Sequence, residues 1–209
     1  MIRIENTNTY GWEAALRGMR NPMNSWDRSD SKFVANRLLE EIGEKDLELA
    51  QKLADAGPVH GKFLRMITVT CDITAPLYWW KEFDTYKIGT VRNSCSTMHK
   101  IHAKEFTKED FSTDHMLNHT ENVLEVVISC LNTFRSLYLD DKYKTFWWQM
   151  IQLLPSSYNQ LATVQMNYAV LRNIYQYRKN HKLDEWQEFC KWILTLPYPE
   201  LITGEENGN

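Results

Sequence analysis

The sequence predicts an α+β fold, mostly helical with a small antiparallel sheet. Three observations lead there. Val123, Val127, Cys130, Leu131, Phe134 and Tyr138 recur at the spacing of one helix face, and similar runs fill much of the second half. Between Met66 and Ile73 the pattern changes to strict alternation: Ile67, Val69, Cys71 and Ile73 against Thr68, Thr70 and Asp72. Gly43, Gly57-Pro58 and Pro155 stand between these segments, where helices stop.

The elements follow in order. Residues 1–7 read as a short strand and Tyr10 to Met19 as a short helix, before a loop marked by Asn21-Pro22 and the polar stretch Ser25–Ser31. Phe33 to Ile42 and Asp46 to Ala56 read as two helices, the first opened by Asp30 or Ser31. After the Met66–Ile73 strand, Ala75-Pro76 opens an aromatic helix through Trp79, Trp80 and Phe83, since proline suits a first helical turn. Residues 87–97 are a polar loop or an extended segment. Helices are expected across Val123–Tyr138 and Tyr143–Leu153. Pro155 stops the latter, and Ser156 or Ser157 caps a helix carrying Leu161, Val164, Tyr168, Leu171 and Tyr175 as its apolar stripe. Trp186 to Leu194 forms the last helix.

A chain of 209 residues suits one domain or a compact pair. No linker or repeat demands two, so residues 1–209 are read as a single domain. Apolar residues make up 43% and charged ones 24%, as in ordinary globular proteins. A net charge of -3 gives no electrostatic case for nucleic acid as a partner. No apolar run reaches membrane-spanning length and the first residues are too polar for a signal peptide, so a cytoplasmic protein with no membrane partner is expected. Cys71, Cys95, Cys130 and Cys190 lie far apart, which fits reduced thiols and not a zinc site. Eight tryptophans imply a large aromatic core, a stacking surface or a subunit interface.

Two blocks could carry chemistry. The loop Thr85–Ser96 holds Gly89, which allows close backbone approach, with Lys87 and Arg92 to neutralise a phosphate and hydroxyls to bond it. Composition alone favours an ordinary surface turn with ordinary charges. The second block carries Asn167, Asn173 and Arg178, polar groups that are costly to bury without partners. On a continuous helix at ~100° per residue Asn167 and Arg178 would project in nearly the same direction. Arg178 could fork onto a phosphate, or simply meet water and the last carbonyls of its helix. His115 and His119 are four apart but lack a third ligand at sound spacing, so no metal is expected. Cys95 reads as a small packing residue, and no catalytic residue can be assigned.

Taken together the blocks resemble the flavin-dependent thymidylate synthases (ThyX). In that family a histidine precedes a strand, Ala-Pro opens a helix, an RHR-x7-S motif follows, and a later Leu-Pro leads to N-x-R-x3-[NH]-x4-R. Here His60 precedes the strand, Ala75-Pro76 opens the helix, Asn93-x-x-Ser96 matches the end of the first motif, and Leu154-Pro155 leads to Asn167, Asn173 and Arg178. The resemblance covers about residues 60–100 and 150–190. It implies FAD as cofactor, NADPH and methylenetetrahydrofolate as co-substrates, reductive methylation of dUMP to dTMP, and a homotetramer. It also implies that Ser96 and Arg178 face the uridylate, with Lys87 and Arg92 restoring charge beside it, and that Asn93, Asn167 and Asn173 serve the flavin.

The sequence also departs from the family. The RHR triplet falls on Thr85-Tyr86-Lys87, or one residue later if Ser96 sets the frame, so both arginines and the histidine are replaced. Ala169 and Ile151 stand where further arginines are expected. Each lost arginine removes a charge-assisted contact of roughly 1.5–3 kcal/mol. That argues against the activity and for an alternative: a non-catalytic nucleotide- or phospholigand-binding protein on the same scaffold. A reassigned chemistry on Tyr86, Lys87 or Cys95 is a third reading.

Overall fold

The computed structural model describes residues 2–34 and 38–204, and the expected α+β class is what it shows. The elements are β1 (Arg3–Tyr10), α1 (Trp12–Arg20), β2 (Lys32–Phe33), β3 (Leu39–Glu41), α2 (Glu44–Asp55), β4 (Thr68–Pro76), α3 (Leu77–Phe83), β5 (Val91–Ser94) and α4 (Thr97–Lys100). They continue with α5 (Asn118–Asp141), α6 (Lys144–Leu153), β6 (Asn159–Asn167), α7 (Tyr168–Arg178), α8 (Asp184–Ile193) and α9 (Glu200–Thr203). The main sheet has the strand order β1-β4-β6-β5, and β2 pairs antiparallel with β3. No helix among the described residues is long and apolar enough to cross a membrane.

Two compact units partition the chain. The first takes the segment ending at Arg3 together with Ile73–Thr85 and Asn93–Thr163, and the second takes Ile4–Asp72, Tyr86–Arg92 and the segment from Val164 onward. In the first unit, Ile101, Phe106, Phe111, Leu124, Leu131 and Met150 form a buried cluster against which α5 and α6 pack. In the same unit Trp79, Trp80 and Phe83 of α3 meet edge-on or stacked at 5.0–5.3 Å. The Trp80 indole N–H donates to the Gln160 carbonyl at 3.0 Å, so this large ring is buried without stranding its one donor.

The second unit is built around Tyr168, Leu171 and Ile174, the buried face of α7, with Trp186 and Phe189 of α8. Trp12 meets the Tyr168 ring edge-on at 5.1 Å, and the Tyr168 hydroxyl donates to the Pro197 carbonyl at 2.5 Å. Entry to α1 depends on Gly11, whose φ is +86° and where a Cβ would fall 2.0 Å from the Met66 carbonyl oxygen.

Two expectations fail. Phe33–Ile42 is not a helix: Lys32–Phe33 and Leu39–Glu41 are strands paired through Lys32↔Glu41 and Phe33↔Leu39, while residues 35–37 of that expected helix lie outside the described residues. Asp30 does cap a helix, but the next one. Its carboxylate accepts from the Lys45 and Asp46 N–H groups in the first turn of α2. The expected helix from Ser156 or Ser157 fails likewise, because residues 159–167 are the strand β6. Ala162, Val164 and Met166 are buried while Leu161, Thr163 and Gln165 are exposed, a period of two that overrides the helical spacing of Leu161 and Val164.

Candidate functional site

In the first unit, β5 delivers the chain to Ser96. The Ser96 side chain accepts the His99 N–H at 3.1 Å as the N-cap of α4, which leaves its hydroxyl proton available to donate. Ser96 lines a cavity of about 580 Å³ together with Thr74, Lys100, Lys104, Asp110 and Tyr158. Lys104 is ion-paired with Asp110, which also caps the turn at Thr107, whereas Lys100 makes no ion pair among the described residues. Thr74 Oγ1 is buried without a hydrogen-bond partner among the described residues. Burial, with Asp110 adding to it, pushes the Tyr158 phenol above its usual value, so it stays a donor at neutral pH. Hydroxyl donors around an ammonium group suit an oxyanion-bearing ligand.

Cys95, expected to pack, is exposed and lines the same cavity. Its backbone is what is engaged, with its N–H on Leu161 O at 2.9 Å and its carbonyl accepting from Gln160 Nε2 at 2.7 Å. Asn93, in the same unit, is exposed on β5.

The other candidate residues belong to the second unit. Asn167 is not a helix-face residue; it is the N-cap of α7, with Oδ1 accepting the Val170 N–H at 3.0 Å. The strand ending at Asn167 removes the continuous helix on which its alignment with Arg178 was reckoned. Gly89 folds down onto this cap: at its φ of +77° a Cβ would come within 2.7 Å of Asn167 Nδ2 and 3.1 Å of a Val170 methyl. Gly89→Ala is therefore expected to lower stability by about 1–3 kcal/mol, by combining left-handed strain with a displaced cap, as read from a urea melt. An unchanged midpoint would contradict this packing. Asn173 is exposed on α7, Lys87 is exposed, and Arg92 is half-buried in β5.

Arg178 closes the helix that Asn167 opens. Its Nε donates to the Tyr86 hydroxyl at 2.9 Å, and its guanidinium lies 4.8 Å from the Trp186 ring centroid and 5.7 Å from that of Tyr86. The two rings meet each other edge-on at 5.9 Å. Cation–π contact on two sides holds the planar fork in one orientation. Burial pushes the nearby Cys190 thiol up to about 11, with Arg178 pulling the other way, so this cysteine is no nucleophile. Tyr86 and Trp186 were missed as partners of Arg178. For Tyr86 the sequence signal was its place beside Lys87, and a contact spanning 92 residues leaves no trace in local spacing.

His115 precedes α5 and His119 is its second residue; no group of three or more metal-ligating side chains lies together among the described residues. No family model and no curated protein matches the sequence. Solved structures do. The chain is similar to thymidylate synthase X (ThyX) from Helicobacter pylori with FAD and dUMP, at TM-score 0.72 and 18% identity over 97% of this chain and 98% of that one. A second structure of the Helicobacter pylori flavin-dependent thymidylate synthase, also complexed with FAD and dUMP, gives 0.71 and 17% over 96% and 98%. The likeness runs nearly end to end, and at this identity it establishes the fold.

Proposed function

We propose that this chain, as a single ThyX-like domain, binds a uridylate-like nucleotide with FAD as cofactor, in a cytoplasmic homotetramer. The reaction belonging to that reading is reductive methylation of dUMP to dTMP with NADPH and methylenetetrahydrofolate. The observation that carries it is the end-to-end likeness to ThyX structures holding FAD and dUMP. The Ser96 cavity adds support, because Ser96 and Lys100 offer a hydroxyl donor and a cation to a phosphate. In the second unit Arg178 presents its guanidinium under the hold of Tyr86 and Trp186, and Lys87 and Arg92 supply further positive charge.

FAD finds a partial fit. Asn173 is an exposed amide, and Asn167 has its oxygen committed to the helix cap while its amide N–H groups remain to donate to a ring carbonyl. Asn93 is placed with them on resemblance alone. When bound, FAD supplies the hydride chemistry; these side chains bind and orient.

One observation favours the second reading, a non-catalytic nucleotide- or phospholigand-binding protein. Tyr86, inside the replaced triplet, takes up the Nε of Arg178, so one arm of the fork is spent within the protein. The purified chain separates the readings. A visible flavin absorption band with dUMP-dependent NADPH oxidation is the result expected of the enzyme. A thermal shift with dUMP but no flavin and no turnover would leave only the binding protein. Neither flavin nor any nucleotide shift would end both.

A further inference from the structure

α4 is a single turn of four residues, too short to hold itself in water, yet its two ends line the Ser96 cavity. Ser96 caps it and Lys100 closes it. What fixes the turn is its packing on the two long helices of the first unit. Trp147 of α6 donates its indole N–H to the Met98 carbonyl at 3.0 Å, and Ile101 enters the buried cluster. Along α5, three residues at three-residue steps hold the segment that follows. Asn132 bonds both the N–H and the carbonyl of Phe106 at 2.8 Å, and Arg135 Nε donates to the His102 carbonyl at 3.1 Å. The Tyr138 ring meets the His102 ring edge-on at 4.9 Å.

The His102 ring is the vulnerable member of this set. Its Nδ1 is buried with no hydrogen-bond partner among the described residues. A neutral imidazole leaves that nitrogen as a bare acceptor, whereas a protonated ring must put an N–H there with nothing to receive it. The charges acting on the ring are all positive: Lys142 at the C-cap of α5, Lys100 on α4 and Arg135 on α5. Burial first, and then these three cations, hold its pKa below the usual histidine value. A proton therefore binds better once the segment has left α5. Docking is complete above the usual value of about 6.5 and is lost as pH falls from there through the lower docked one.

We propose that His102 is an acid-sensitive latch: protonating its ring releases residues 98–106 from α5 and takes apart the Ser96–Lys100 wall of the cavity. The physical basis is that one proton adds a fourth positive charge to a site with no acceptor for it, while the undocked ring meets water. Release of a nucleotide on acidification rests on the reading of that cavity as a nucleotide site. The latch itself does not.

Hydrogen exchange read by mass spectrometry on the whole chain, corrected for the intrinsic rate, follows the amides of residues 98–106 from neutral to mildly acidic pH. Their protection is expected to fall at least about threefold, while that of α5 holds. His102→Phe keeps a ring against Tyr138 but takes no proton, and is expected to abolish the fall. Lys142→Gln, at an exposed position, removes the largest of the three charges and is expected to reduce it. A proton NMR titration of the native chain reads His102 directly and is expected to track the loss of protection. The dUMP affinity of the native chain should drop at least about threefold more than that of His102→Phe, a comparison that cancels the ligand's own phosphate ionisation. Protection that is flat with pH, or a His102 titration at or above the usual value, would overturn the latch. So would an equal fall in His102→Phe, which would move the switch to His99 on α4 itself. An equal drop in dUMP affinity would overturn the coupling to the cavity. Absence of dUMP binding at every pH would overturn the nucleotide reading, with the exchange result still deciding the latch.

Discussion

Asp46→Ala is expected to lower the unfolding free energy by about 3–5 kcal/mol, enough to unfold a marginal domain of this size. Asp46 is fully buried on α2, and Arg20 is 4% exposed. The carboxylate accepts from Arg20 Nε at 2.5 Å, from the hydroxyls of Ser29 and Ser31 at 2.6 Å each, and from the N–H groups of Asp30 and Ser31 at 3.2 and 3.1 Å. Removing it strands a buried guanidinium and several donors. The irregular segment from Ser29 to Ser31 then loses what ties it to α2.

Urea unfolding gives the magnitude, and limited proteolysis near Ser29 is expected to rise in parallel. Arg20→Met alone should cost a comparable amount, and the double variant Arg20→Met, Asp46→Leu less than the sum, because each single change leaves an uncompensated partner. Additive losses would mean that the pair is not coupled. Burial pushes the Asp46 carboxyl up, but hydrogen bonds from Ser29, Ser31 and Arg20, with the Arg20 charge, outweigh it and hold it below its usual value. Its contribution is therefore fully present above the unfolded carboxyl value. It is lost as pH falls through the lower folded one. The stability difference between the native chain and Asp46→Ala should shrink on acidification and stay constant near neutrality.

Arg178→Ala is expected to weaken nucleotide binding by roughly 10–100-fold, the size of one lost charge-assisted fork. Titration calorimetry with dUMP reads it directly. Arg178→Lys should recover little, since an ammonium cannot reproduce the planar fork or its stacking on Trp186. Tyr86→Phe discriminates further: it removes only the 2.9 Å bond that orients Nε. A loss of roughly 2–10-fold is expected of a positioning hydrogen bond. If Tyr86→Phe instead tightens binding, Tyr86 competes with the ligand for Arg178, and the non-catalytic reading gains. Undiminished dUMP affinity in Arg178→Ala would remove Arg178 from the site.

The legible parts of the fold were those whose local pattern and tertiary environment agree. Ile67, Val69, Cys71 and Ile73 alternate in sequence and are all buried, so β4 could be read directly. The Pro76 entry to α3 and the long helix α5 were legible for the same reason. Residues 159–167 were not. Leu161 and Val164 permit a helix, and only pairing within a sheet selects the alternation of Ala162, Val164 and Met166. The Asp30–Ser31 pair carried a genuine capping signal, but which helix it serves depends on how the segment folds back onto α2.

The candidate site divides in the same way. Residue types alone marked Asn167, Asn173 and Arg178, because amides and a guanidinium have few inexpensive places in a core, whereas Ser96 came from the resemblance. Their spacing carries the resemblance to ThyX. Their actual roles came from the fold: Asn167 caps a helix, Ser96 opens into a cavity with Lys100, and Arg178 rests against Tyr86 and Trp186. The sequence by itself determined the chemistry on offer and the class of architecture, since both follow from residue type and local period. Tertiary structure alone decided which strand β6 became, which helix Asp30 caps and what holds Arg178, because each is a contact between residues far apart in the chain.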